Sequence, residues 1–62
     1  MTKKAMKSLV GKIGNKAVAG FVIPIMKLET IFQAGMAAAQ NGASEDQIFT
    51  IMQKQASAVA VA

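Results

Sequence analysis

Apolar residues recur at helical spacing along most of this chain. Between residues 3 and 21, Met6, Leu9, Val10, Ile13, Ala17 and Phe21 align on one side of a helix, while Lys3, Lys4, Lys7, Ser8, Lys12, Asn15 and Lys16 fill the other. The pattern predicts a basic amphipathic helix with Thr2 as its N-cap. Gly11 and Gly14 weaken that helix by roughly 1 kcal/mol each relative to Ala, so it is expected to be frayed in free solution and firmer against a surface.

Residues 17 to 26 then form a continuous apolar run containing Gly20 and Pro24. Proline disfavours helical geometry at the residue before it and clashes with the carbonyl four residues back, so the helix is expected to break here and restart near Pro24. From Ile25 the period continues through Leu28, Phe32, Gly35, Met36 and Ala39, flanked by Ile31 and Ala38. Gln40-Asn41-Gly42 is the expected stop, because glycine takes the left-handed conformation that ends many helices.

Ser44 and Gln47 have the spacing of a capping box, Glu45 and Asp46 suit the positive end of the helix dipole, and Ala43 and Ile48 occupy the two staple positions. The last helix is expected to present Ile48, Phe49, Ile51, Met52 and Ala56 inward and to fade through the uncapped tail 57–62. The expected fold is all-α: a single small domain over 1–62 with two to three short helices. It comprises a basic amphipathic segment 3–23, broken near Gly20 and Pro24, and an antiparallel helical hairpin 25–56. Leu28, Phe32, Gly35, Met36, Ala39, Ile48 and Met52 are its expected helix–helix interface. Gly35 and Ala39, four apart, are small residues that allow another helix to approach closely, from within the chain or from a second copy. The five methionines are adaptable filler for a core or a shared interface.

Composition changes this picture in two ways. Hydrophobic residues make up 53% of 62 residues, more than a core of this size can hide, and with no Cys and no His there is neither a disulfide nor a zinc site to hold the chain together. Three scattered acids do not form an oxygen-ligand cage. Association with copies, a partner or a membrane is therefore expected to complete the fold. The net charge of +4 comes from Lys alone, without Arg, and Lys3, Lys4, Lys7, Lys12 and Lys16 all precede the first acid, Glu29. Such asymmetry attracts anionic partners.

Catalysis lacks materials. Ser8, Ser44 and Ser57 have no His to activate them, no carboxylate pair is placed for acid–base work, and no cofactor motif is present. Gly11-Lys12-Ile13-Gly14 lacks both the spacing and the preceding strand of a phosphate loop. The sequence therefore predicts neither an enzyme nor a small-molecule substrate. Specific nucleic-acid binding is disfavoured by the missing Arg, Tyr and Trp, and by Glu45 and Asp46 at the start of the helix that would enter a groove. A membrane-spanning helix needs about 20 mainly apolar residues, whereas Lys16, Lys27 and Glu29 bracket a run half that long. A cleavable secretory signal fits the basic start, but small residues suited to cleavage come only near Ala37 to Ala39, and the remaining fragment would be too small to fold.

The expected function is binding to an anionic membrane surface, with Lys3, Lys4, Lys7, Lys12 and Lys16 on headgroups and Leu9, Ile13, Phe21 and Ile23 inserted. The alternatives are a small structural subunit, such as a virion component, packing through its apolar faces on copies or on a larger partner, and a regulatory module for an acidic protein or nucleic acid. In charge, length and helix content the chain broadly resembles leaderless cationic bacteriocins. That resemblance covers composition alone and implies membrane activity; the Trp those peptides often carry is missing, and Ser44-Glu45-Asp46-Gln47 is acidic for one. Membrane-associated, secreted and virion-associated locations are all compatible with a chain lacking Cys.

Overall fold

Three helices follow from these local signals: α1 (Lys3–Ala17), α2 (Ile25–Gln40) and α3 (Glu45–Val59). The computed structural model describes residues 2–61. At the start of α1 the Ala5 N–H donates to Thr2 Oγ1 at 3.1 Å, satisfying one of the free donors of the first turn. The helix ends at Ala17, a turn before the expected Phe21. Gly20 stands at φ +87° as the third residue of a turn closed by Phe21 N–H donating to the Val18 carbonyl at 3.1 Å. This turn takes Phe21 off the α1 face and delivers it, with Ile23, onto the core as a loop residue.

The next helix begins after Pro24, which supplies no capping side chain, and its first turn contains no acid. It stops where expected. Gly42 adopts φ +85°, the Ala43 N–H donates to the Ala38 carbonyl at 3.0 Å, and the Gly42 N–H donates to the Ala39 carbonyl at 3.1 Å. These two bonds form a Schellman motif. The capping box then starts α3: the Gln47 N–H donates to Ser44 Oγ at 3.2 Å and the Ser44 N–H donates to Gln47 Oε1 at 2.8 Å. Its far end differs from expectation. The helix runs to Val59, three residues past Ala56, and the Val61 N–H donates to the Val22 carbonyl at 2.8 Å. The described part of the tail is thereby tied to the loop after α1; Ala62 lies outside the described residues.

All three helices pack on one another. The core comprises Val10, Ile13 and Ala17 of α1, Ile31 of α2, and Ile48, Met52 and Ala56 of α3. Its centre is a close approach at two glycines. A Cβ on Gly14 would lie 2.5 Å from Phe32 Cε2 and 2.6 Å from Met52 Cε, and one on Gly35 would lie 2.5 Å from Met52 Sδ and 3.0 Å from Val10 Cγ1. Gly14 is therefore a packing position as well as a weak helix former, and Gly35 serves a crossing within the chain. Because Val10 meets Gly35 and Gly14 meets Phe32, α1 runs antiparallel to α2.

The buried line of α2 is Ile31 and Gly35, whereas Leu28, Phe32, Met36 and Ala39 of the expected interface are half-buried. Packing on two sides explains the shift. The residues facing both neighbours are buried most deeply, while Phe32 and Met36 turn aside to line a surface groove with Lys7, Val10 and Gly11. On α3, Ile48, Met52 and Ala56 are buried as expected, and Phe49 and Ile51 flank them half-buried.

Candidate functional site

The fold gives an elongated body, 37 × 19 × 15 Å, with two distinct ends. At the turn end lie the start of α1 with Lys3, Lys4 and Lys7, the α2–α3 turn, and the start of α3 with Glu45 and Asp46. At the loop end lie residues 18–24, the start of α2 and the end of α3. Lysines that are neighbours in sequence are thus divided between the ends. Lys16 is in the last turn of α1, at the loop end, and Lys12 lies between the two groups.

Every lysine of the chain is exposed, including Lys27 and Lys54. A lysine side chain loses too much hydration on burial to do otherwise without a partner. The apolar residues expected to insert into a membrane are placed differently. Ile13 is 9% exposed and belongs to the core, while Leu9, Phe21 and Ile23 are half-buried against it. The apolar face of α1, with Leu9 and Ile13, closes over the α2–α3 hairpin, and Phe21 and Ile23 pack on the core from the loop, so in this conformation those four side chains serve the bundle more than an outward-facing surface.

A different set of apolar side chains reaches solvent. Val22 is 66% exposed, Ile25 76%, Met26 80% and Val61 50%. All four sit at the loop end, where the hydrogen bond from Val61 to Val22 ties the tail to the loop. Ile25 had the spacing of an interface residue, but it occupies the first position of α2 and is left exposed there. The uninterrupted run 17–26 is the sequence signal for this cluster: once Gly20 and Pro24 break the helix, one core face cannot take every member of the run.

Cations surround that end. Lys27 is in the first turn of α2 beside Met26, and Lys16 is in the last turn of α1. Lys54 lies five residues before the end of α3, about 7 to 8 Å along the axis, and shares a shallow depression with Phe21, Gln53 and Ser57. Of the acids, Glu45 and Asp46 are at the opposite end, and Glu29 sits one turn into α2 on the groove shared with Lys7.

Among the described residues, no three His, Cys, Asp or Glu side chains gather as a metal site. Ser44, one of the three serines, is committed to capping α3. No helix among the described residues is long and apolar enough to cross a membrane. No family model matches the chain, and no curated protein or solved structure matches it.

Proposed function

We propose that the protein is a non-enzymatic helical bundle that binds anionic membrane surfaces. The observation that carries this reading is the exposure of all its lysines around a body whose own apolar faces are largely closed. Positive charge in that arrangement is available to an external partner. Each lysine held near an anionic bilayer contributes about 1 kcal/mol, within a screening length of roughly 8 Å at physiological ionic strength. On a body 37 Å long, only the lysines near the contact count.

Mixing the protein with vesicles of phosphatidylserine and phosphatidylcholine, and separately with phosphatidylcholine alone, tests the reading. Binding is expected to the anionic vesicles and to weaken as salt is raised; absence of binding to them at low salt contradicts it.

A second reading, a structural subunit that packs on copies of itself, is favoured by the exposure of Val22, Ile25 and Met26. It requires concentration-dependent association without lipid, which sedimentation measures directly.

A further inference from the structure

We infer that the loop end is the part that enters the bilayer, end-on and with the bundle closed: Val22, Ile25, Met26 and Val61 insert at the interface while Lys16, Lys27 and Lys54 hold lipid phosphates around them. The inference rests on the membrane reading above and assigns its contact surface. Three observations support it.

The first is availability. Leu9 and Ile13 of α1 pack within the bundle, and inserting them would require α1 to leave the hairpin and expose Val10, Ala17, Ile31 and Met52, while Phe21 and Ile23 of the loop are half-buried against the core. The loop-end cluster needs no such opening, because its side chains already face solvent. The second is shape. Residues from the loop, the start of α2 and the tail after α3 converge on one small end of a body only 19 × 15 Å in cross-section. An end of this form suits shallow insertion between headgroups rather than a spanning role, in agreement with the lengths of the helices.

The third is charge. Each helix brings one lysine to this end, and a single acid, Glu29 one turn into α2, stands near them, so this end keeps a positive excess; Glu45 and Asp46 lie at the other end of the 37 Å axis, beyond a screening length of about 8 Å. Charge also favours a bilayer over a second copy. Two loop ends brought face to face would set their lysines against like charges, whereas an anionic bilayer neutralises them.

The test compares the full chain with I25S/M26S, K16Q/K27Q and K3Q/K4Q for partitioning onto phosphatidylserine-containing vesicles, with thermal melting of each as a control. Both apolar positions are largely exposed, so I25S/M26S should melt with the parent protein while partitioning falls at least about tenfold. K16Q/K27Q should weaken binding more than K3Q/K4Q, whose lysines lie at the far end. Unchanged partitioning of a folded I25S/M26S overturns the assignment and leaves the membrane reading standing. Stronger weakening by K3Q/K4Q overturns the end-on orientation. If the parent protein ignores anionic vesicles, both readings fall together. Self-association of the parent that I25S/M26S abolishes in sedimentation would make this end an interface between copies and overturn insertion.

Discussion

The two ends of this bundle are built from similar parts and finished differently. Each has a connection containing a glycine at positive φ, Gly20 in one and Gly42 in the other. At the turn end, the connection closes through the Schellman hydrogen bonds to Ala38 and Ala39, followed by the reciprocal Ser44–Gln47 capping box and by Glu45 and Asp46 in the first turn of α3. At the loop end, Pro24 caps α2 without a side-chain bond, and Val22, Ile25 and Met26 stand in water. Local stabilising devices are concentrated at one end and unburied apolar surface at the other. That contrast shows where the surplus of hydrophobic residues goes: the core takes what three short helices can enclose, and much of the remainder is gathered at one end.

The contrast makes graded predictions. The largest effect on stability should come from neither end but from their shared centre. Met52→Ala removes the thioether packed between Gly14 and Gly35 and should cost about 2 to 5 kcal/mol, comparable to the whole stability of a domain this small. Urea unfolding followed by helicity is expected to find it mostly unfolded; a melt like that of the parent would deny the close approach. Ser44→Ala should cost about 1 kcal/mol by removing half of the capping box. A cost near zero, read from the shift in the urea midpoint, would remove the claim that the turn end is locally reinforced. Smallest of all, Ile25→Ser should change stability by no more than about 0.5 kcal/mol, because the side chain is 76% exposed. A cost as large as that of Ser44→Ala would erase the distinction between the ends.

Much of the fold was readable in the sequence because its signals are local. The bounds of α2, the stop at Gly42 and the capping box each depend on a few adjacent residues. The end of α1 was less readable. Apolar spacing continues to Phe21, and the turn at Gly20 that removes Phe21 from the helix depends on what the loop packs against. Gly14 illustrates the same limit: intrinsic propensity makes it a weakness, and only the approach of Phe32 and Met52 gives it a packing role.

The candidate site divides along similar lines. Exposure of the lysines was legible from the cost of desolvating a charge. The burial of Leu9 and Ile13 was not, because an amphipathic pattern states that a helix has an apolar face without stating what covers it. For α1 that cover is the hairpin of the same chain. The exposed cluster at Val22, Ile25 and Met26 lay within a run whose outward members are fixed by the break at Gly20 and Pro24.

Amide hydrogen exchange with and without phosphatidylserine-containing vesicles tests the closed, end-on account most directly, since protection reports local opening residue by residue. Core amides at Val10, Ile31 and Met52 are expected to keep their protection on lipid, while those of residues 21–23, 25 and 26 exchange more slowly than in solution. Loss of protection across α1 on the vesicles, with residues 21–26 unchanged, would mean that the bundle opens to bind and would contradict the account.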